Sequence, residues 1–170
     1  MDTPPSTRSL SIIPATEADI PFIMSVEGIP GYAALIGRYN EDEHRRRIET
    51  ANTNYFLCRL GTEPLGFAVV RLDDDGMGNA QLHRIAMART GLGHGSAFLR
   101  QICRTVFAFQ DIGRFWLDLL PSNVRARNVY QRIGFIQEGT MRQALRLKDG
   151  SREDLVLMSL LREEWRALDG

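Results

Sequence analysis

The chain has 170 residues, of which 44% are hydrophobic and 25% are charged, a balance typical of one globular domain. Lys and Arg together number 21 and so do Asp and Glu, so the formal net charge is zero, which argues against binding nucleic acid by charge alone. Two cysteines and three histidines, none at ligand spacing, argue against a metal site. Without a leader-like or membrane-spanning apolar run, the protein is expected to be cytoplasmic.

The periodicity of apolar residues predicts the elements in chain order. Residues 1–8 are expected to form a disordered tail, and residues 9–170 one domain. Strands are predicted at 8–14, 55–60, 66–72, 80–87, 114–120, 138–146 and 154–160, and helices at 16–26, 41–51, 96–109, 123–135 and 161–168. Thr16 with Asp19, and Asn40 with Glu43, resemble helix-start signals.

Several connections have their own signals. GTEP at 61–64 and KDGS at 148–151 are predicted turns, and an apolar piece, AALIG, lies at 33–37. The helix at 41–51 is highly charged, and the simplest interpretation of these charges is a solvent-exposed helix face. In the helix at 96–109, five side chains share one apolar stripe: Phe98, Leu99, Ile102, Val106 and Phe109. A strand meander followed by strand–helix–strand predicts an α+β protein, with a mixed sheet and helices on both faces.

The segment RIAMARTGLGHGS at 84–96 joins a predicted strand to a predicted helix through three alternating glycines. Free N–H groups and the helix dipole make such a junction an anion site, and glycine lets the backbone approach a ligand closely. A turn without any ligand is the plainer interpretation. A P-loop would end in Gly-Lys-Ser/Thr, and the segment 84–96 contains no lysine. A dinucleotide loop fits poorly, because Ser96 stands where its third glycine belongs.

Two segments resemble one family. The run from Arg84 to Leu99 resembles the acetyl-CoA-binding motif of the GNAT N-acetyltransferase superfamily, and NVRARNVYQRIGF at 123–135 resembles the motif that follows it. The resemblance is close over residues 80–136, and the element order on both sides also fits. It implies the GNAT-like acyl-CoA N-acyltransferase fold, with a mostly antiparallel sheet and acetyl-CoA as co-substrate. One departure is Thr90, which stands where the family has Arg or Gln. Whether the adjacent Arg89 replaces it is left open.

The resemblance also implies which residues bind acetyl-CoA. The strand before the loop often bulges and splays from its neighbour, opening a V-shaped slot. Its backbone would pair with the pantetheine arm, and an N–H near Ala86 or Met87 would polarise the thioester carbonyl. The expected cofactor-binding residues are Ile85, Ala86, Met87, Gly91, Leu92, Gly93, His94, Gly95, Ser96, Asn123 and Ala126. For Asn123, capping the following helix is an equally natural role.

Tyr130 stands at the position of the family's general-acid tyrosine, so it is the expected proton donor to the leaving thiolate. The alternative is a tyrosine that packs on the core with a solvated hydroxyl. The base that removes a proton from the attacking amine is left open among His83, Asp118, Glu27 and a water relay.

The implied reaction moves an acetyl group directly from acetyl-CoA to a primary amine, on a small molecule or at a peptide or protein N-terminus. The segment 27–40 is expected to shape the acceptor site, with Tyr32, Arg38 and Tyr39 as candidate lining residues. The C-terminal strands resemble the branch that contains ribosomal-protein N-terminal acetyltransferases. A non-catalytic acyl-CoA-binding or regulatory module on the same fold is the alternative, and a dinucleotide-binding protein is a weaker one. No membrane partner is expected, and a homodimer is left open.

Overall fold

The computed structural model describes residues 9–32 and 35–169. The strands are β1 (Leu10–Pro14), β2 (Thr53–Leu60), β3 (Glu63–Leu72), β4 (Asn79–Met87), β5 (Arg114–Leu119), β6 (Ile136–Arg146) and β7 (Arg152–Leu161). The α-helices are α1 (Ile20–Glu27), α2 (Glu41–Ile48), α3 (His94–Ala108), α4 (Val124–Ile133) and α5 (Arg162–Asp169), and a 3-10 turn at Glu17–Asp19 precedes α1. This order agrees with the predicted one. The expected tail at 1–8 and residues 33–34 of the AALIG piece lie outside the described residues.

The seven strands of the described chain form one sheet in the order β1-β2-β3-β4-β5-β7-β6. Within it, β4 and β5 pair in parallel and the other neighbouring strands pair antiparallel. The parallel contact arises because α3 carries the chain from the end of β4 back to the start of β5. The prediction of a mixed, mostly antiparallel sheet is confirmed.

Helices pack on both faces of the sheet, as predicted. On one face, Ile23 and Val26 of α1 pack in a cluster with Leu57 and Phe67 of the sheet. On the other face, a larger cluster joins α3 to β4, β5 and β7; its members include Phe98, Leu99, Ile102, Leu82, Phe115 and Met158. The sheet is therefore the middle layer, and a slot that opens between two of its strands is bordered by both helical layers.

Local signals predicted helix starts better than helix ends. Thr16 and Asp19 form a reciprocal capping box, and the Asn40 side chain accepts a hydrogen bond from the Glu43 N–H at 2.8 Å. The helix predicted to reach 51 ends at Ile48 instead. The prediction for Phe109 is wrong: α3 ends at Ala108, and the Phe109 side chain is 47% exposed.

Two other predictions can be compared directly. The turn predicted at 61–64 is shorter, because Glu63 and Pro64 already belong to β3. Cys58 and Cys103 are both free and buried, as expected, and burial raises the pKa of Cys58 to about 11, so that thiol stays protonated at neutral pH. In the described part of the chain, no helix is both long enough and apolar enough to cross a bilayer.

Candidate active site

The central feature of the site is a slot between β4 and β5. These strands pair only from Asn79 to Gln81 on β4, opposite Arg114 to Trp116 on β5, although both continue beyond this point. The register of β4 against β3 shifts between Val69 and Val70, which leaves His83 as an extra residue in β4. A bulge of this kind bends the strand and increases its twist. The bulge and the splay that the family resemblance implied are therefore both present.

Strand alternation shows which backbone groups face this slot. The Ala88 N–H donates to the Leu65 carbonyl of β3 at 2.7 Å, and the register pairs Phe67 with Ala86 and Gly66 with Met87. In an antiparallel ladder the hydrogen-bonding groups of successive residues point to opposite sides. Ala86 therefore turns its N–H and C=O toward β3, while Met87 turns its own toward β5.

The same alternation places the N–H and C=O of Ile85 on the slot side. Of the three strand residues predicted to bind the cofactor, Ile85 and Met87 direct their backbone N–H and C=O groups to that side. The Ala86 side chain is 3% exposed and packs in the cluster beneath α1. Of the two N–H groups expected to polarise the thioester, that of Ala86 faces β3 and that of Met87 faces the slot.

The glycine-rich loop forms the N-terminal end of α3. Gly91 and Gly93 have φ angles of 92° and 77°, in the left-handed region that L side chains rarely adopt. A Cβ added at either position would meet nothing within 4 Å, so the space beside this backbone is open. The first hydrogen bond within α3 runs from the Ala97 N–H to the Gly93 carbonyl at 3.2 Å. The N–H groups of His94, Gly95 and Ser96 precede it and therefore lack a helical acceptor.

The side chains of this loop contribute less than its backbone. Leu92 is 64% exposed, and His94 is half-buried at the first position of α3. A Cβ added at Gly95 would lie 3.4 Å from the Met87 Cγ, so the start of α3 packs directly against the end of β4. The loop therefore brings free N–H donors next to the slot-facing backbone of Met87.

The start of α4 lies close to the loop. Asn123 caps this helix, as considered from the sequence, since its Oδ1 accepts a hydrogen bond from the Ala126 N–H at 3.2 Å. From the first turn of α4, the Arg125 guanidinium donates through Nη1 to the Thr90 Oγ1 at 3.2 Å. Arg89, by contrast, is 76% exposed and approaches Glu63 at 4.0 Å. The guanidinium nearest to Thr90 thus comes from α4 and not from the adjacent residue.

Tyr130 lies on α4 and packs against the larger core cluster, with its ring centroid 5.8 Å from that of Phe135. Burial, and then the negative charge of Asp118, raise the pKa of Tyr130 well above its ordinary value. The phenol therefore holds its proton throughout the neutral range. The hydroxyl is therefore available as a hydrogen-bond donor at neutral pH.

Asp118 lies on β5, two residues beyond the last pair with β4, and so is about level with His83 across the slot. Its Oδ2 accepts a hydrogen bond from the Gln81 Nε2 at 3.2 Å. Burial raises the pKa of Asp118, and the hydrogen bond from Gln81 opposes that shift only in part. Asp118 is therefore a half-buried carboxylate with spare acceptor capacity at the narrow end of the slot.

His83 is a weak candidate for the base. Its Nε2 is hydrogen-bonded to the Tyr39 hydroxyl at 2.8 Å. Burial, followed by the positive charges of nearby arginines, lowers the pKa of His83 to about 3. At neutral pH the ring is uncharged and has little tendency to accept a proton.

Glu27 is also unsuited to that role, because it is the centre of a buried polar network. Its side chain is 1% exposed; it contacts the Arg84 Nη1, lies 3.2 Å from the His44 Nε2, and accepts a hydrogen bond from the Tyr39 N–H at 3.2 Å. Burial alone would raise the pKa of Glu27, but the His44 hydrogen bond, the Arg84 charge and the Tyr39 N–H together lower it. The carboxylate is ionised and already paired.

This network was not predicted from the sequence. His44 is fully buried inside a helix interpreted as a solvated face, and Arg84 stacks over the Tyr39 ring with its Cζ 3.5 Å from the centroid. One signal was available: His44 and Ile48 are four residues apart, which places them on the same side of α2. The network ties the segment between α1 and α2 to β4.

That segment also contacts the slot directly. The Tyr32 hydroxyl donates to the Met87 carbonyl at 2.9 Å and accepts a hydrogen bond from the Met87 N–H at 3.2 Å. Arg38 donates from Nε to the Glu27 carbonyl and from Nη2 to the Gly28 carbonyl, each at 3.1 Å. The three predicted acceptor-side residues therefore have different positions: Tyr32 reaches into the slot, Tyr39 belongs to the buried network, and Arg38 holds the segment together.

Comparison with known proteins identifies the class. The profile of the acetyltransferase (GNAT) family matches residues 27–135, and the chain belongs to this family. A Bacillus subtilis (strain 168) protein, YdaF, which is provisionally named a ribosomal N-acetyltransferase, is 35% identical over 81 residues. That match covers 48% of the chain and 44% of YdaF, so it spans less than half of the relative.

Two solved structures are similar over nearly the whole chain. The spermidine N-acetyltransferase from Vibrio cholerae in complex with CoA and spermine has a TM-score of 0.80 at 16% identity, covering 92% of this chain and 98% of that one. The ribosomal-protein-S18-alanine N-acetyltransferase from Escherichia coli has a TM-score of 0.72 at 21% identity, covering 90% and 94%. The predicted family and fold are confirmed.

Proposed function

We propose that the protein transfers an acetyl group from acetyl-CoA to a primary amine in a ternary complex, by direct attack of the amine. The observation that carries this proposal is the slot between β4 and β5. It has free N–H donors of a glycine-rich helix start at one end and the half-buried carboxylate of Asp118 at the other. When bound there, acetyl-CoA supplies the thioester carbonyl that an amine attacks.

Each part of the slot has a role in this proposal. The N–H groups of residues 91–96 bind the pyrophosphate, because unpaired N–H groups at a helix start favour anions. The slot-facing backbone of Met87 pairs with the pantetheine arm. Ile85 lies further from the glycine loop, toward the closed end of the slot, so its N–H is the donor that stabilises charge developing on the thioester oxygen.

The two proton transfers are assigned to Asp118 and Tyr130. Asp118 accepts a proton from the incoming ammonium, either directly or through one water. Its pKa is raised, whereas the pKa values of His83 and Glu27 are lowered, and its carboxylate can accept hydrogen bonds beyond the one from Gln81. As the carbon–nitrogen bond forms and the carbon–sulfur bond breaks, Tyr130 donates its proton to the departing thiolate sulfur, and its phenolate then takes up the second proton that the attacking nitrogen loses on becoming an amide. Asp118 lies on β5 and Tyr130 on α4, the next element of the chain, and the charge of Asp118 contributes to the raised pKa of Tyr130.

Arg125 is proposed to supply the guanidinium that the loop lacks at Thr90. The contact from Arg125 to Thr90 places a positive charge beside the open backbone of the glycine loop. Arginine suits phosphate because its planar group offers several donors in a fixed geometry. Arg89, which extends toward Glu63, is not assigned this role.

The acceptor is proposed to be a primary amine of a small molecule or of a peptide N-terminus. The similar proteins named above include an enzyme for spermidine and one for the alanine of a ribosomal protein, so the fold accommodates both classes. We also expect a cytoplasmic location. A homodimer remains a prediction, which sedimentation of the purified chain would test.

A screen with acetyl-CoA tests the function. Spermidine, spermine, an aminoglycoside and short peptides with a free N-terminus are each incubated with protein and acetyl-CoA, and release of free thiol is measured. We expect release above background with at least one amine. The Asp118→Asn variant should lose this activity, and Asp74→Asn, with the same change in charge at an exposed position, should keep it. Tight acetyl-CoA binding without turnover on any amine would instead favour a non-catalytic acyl-CoA-binding module.

A further inference from the structure

Tyr32 occupies backbone groups that the proposed function requires for the cofactor. Its single hydroxyl makes two hydrogen bonds to Met87, one to the carbonyl and one from the N–H, at 2.9 and 3.2 Å. These are the groups that strand alternation directs into the slot. They also lie nearest to the glycine loop, since the Met87 side chain is in contact range of Gly95. A pantetheine amide that paired with Met87 would need the same donor and the same acceptor.

Tyr32 is also the fixed point of its own segment. Its carbonyl accepts hydrogen bonds from the N–H groups of Leu35 and Ile36, at 2.8 and 2.9 Å, and its N–H donates to the Ile29 carbonyl at 3.1 Å. Gly31, directly before it, has a φ of 98°. Movement of the Tyr32 side chain and backbone would therefore move the turn that borders the acceptor side of the slot.

The two ends of this segment are held independently of Tyr32. Arg38 donates to the carbonyls of Glu27 and Gly28, and the Tyr39 N–H donates to the buried Glu27 carboxylate. The middle of the segment has a hydrogen-bonded link to β4 through the Tyr32 hydroxyl. Breaking that link would leave the hydrogen bonds at both ends of the segment in place.

We propose that the Tyr32 hydroxyl occupies the slot at Met87 in the free protein and that acetyl-CoA displaces it. This rests on the proposed function. It predicts that acetyl-CoA binding breaks both hydrogen bonds between Tyr32 and Met87. Because two hydrogen bonds to Tyr32 are exchanged for two to the cofactor, the displacement is close to balanced in the native protein.

The Tyr32→Phe variant tests the proposal, with Tyr39→Phe as its matched control. Both changes remove one hydroxyl from the same segment, but the Tyr39 hydroxyl bonds to His83 and not to Met87. Tyr32→Phe leaves the Met87 N–H without its partner in the free protein, so acetyl-CoA should bind about threefold to tenfold tighter by titration calorimetry. Tyr39→Phe should leave that affinity within about twofold of the wild type.

Several outcomes separate this inference from the proposed function. Equal or weaker acetyl-CoA binding by Tyr32→Phe overturns the inference, since a purely structural tyrosine would weaken binding when truncated. Failure of the wild type to bind acetyl-CoA overturns the proposed function itself. If Tyr32→Phe does not fold, 3-fluorotyrosine placed at position 32 keeps the hydroxyl. Its fluorine resonance should then shift as acetyl-CoA is titrated, and an unchanged resonance refutes displacement.

Discussion

Replacing Glu27 with Gln should destabilise the protein strongly, although the two side chains have nearly the same volume. Glu27 is 1% exposed and its main charged partner, Arg84, is 6% exposed, so the change leaves a guanidinium buried without a counter-charge. Removing one member of a buried ion pair costs about 3–5 kcal/mol. That is a large part of the 5–15 kcal/mol by which a typical domain is stable.

Urea unfolding followed by circular dichroism measures this loss. Glu43→Gln is the matched control, because Glu43 pairs with Arg46 and Arg47 on the surface of α2, and its loss should change the unfolding midpoint little. If Glu27→Gln lowers the free energy of unfolding by less than about 1 kcal/mol, the network is not fully buried and paired. Adding Arg84→Met to Glu27→Gln removes the buried positive charge that has lost its counter-charge. It also removes the Arg84 Nε, a buried atom without a hydrogen-bond partner among the described residues. The double variant should regain much of the lost stability.

The pH dependence of this difference has a definite sign. The pKa of Glu27 is lower in the folded protein than in the unfolded chain, so the unfolded chain binds the proton more readily. The stabilisation by the ionised carboxylate is therefore fully present above the unfolded pKa, about 4.3, and is lost as pH falls through the folded pKa. The gap between wild type and Glu27→Gln should narrow on acidification below about pH 4.3. A gap that widened there would contradict the assignment.

Three further predictions concern the slot. Tyr130→Phe should lower kcat by about 100-fold with little change in acetyl-CoA affinity, and an unchanged kcat would remove Tyr130 as the proton donor. Asp118→Asn should lower kcat by a similar factor and abolish the acidic limb of the wild-type pH–rate profile, whereas a persisting limb would assign it to another group. Arg125→Ala should weaken CoA binding about fivefold at low salt, while Arg132→Ala, at the other end of α4, should leave it unchanged. Adding Thr90→Arg to Arg125→Ala should restore CoA binding. If Arg125→Ala does not weaken binding and Thr90→Arg does not restore it, the role of Arg125 is excluded.

The strand, loop and helix that form the proposed cofactor half of the site were largely predictable, because their signals are local. The strand period, the glycine spacing and the motif ending in Tyr130 all fall within residues 80–136. Left-handed torsions at Gly91 and Gly93 leave a direct trace in the sequence, since other residues adopt them reluctantly. The direction in which each backbone N–H and C=O group points was harder to predict from the sequence. That Ala86 faces β3 and Met87 faces the slot depends on the register with β3, which the periodicity of a single strand does not define.

The acceptor half was predictable only as a segment. The partners of Glu27 are 17 and 57 residues away in sequence, at His44 and Arg84, and no local pattern links them. The charges of α2 masked His44, which is buried although its helical neighbours are solvated. The contact of Arg125 with Thr90 depends on how α4 packs beside the loop, which no local pattern in the sequence indicates.

The arrangement of β4 explains why the two halves differ in this way. Strand β4 belongs to both halves. Ile85 and Met87 present backbone groups to the proposed cofactor path, and Arg84, which lies between Ile85 and the bulge at His83, turns its side chain to the Glu27 network. The cofactor side uses main-chain groups, which tolerate many side chains, so a short motif can specify it. The acceptor side uses side chains from distant elements, which can change without altering the slot. An enzyme built as proposed could keep one acyl donor while its acceptor changes, and the names of two proteins of similar fold give different acceptors, spermidine and a ribosomal-protein alanine.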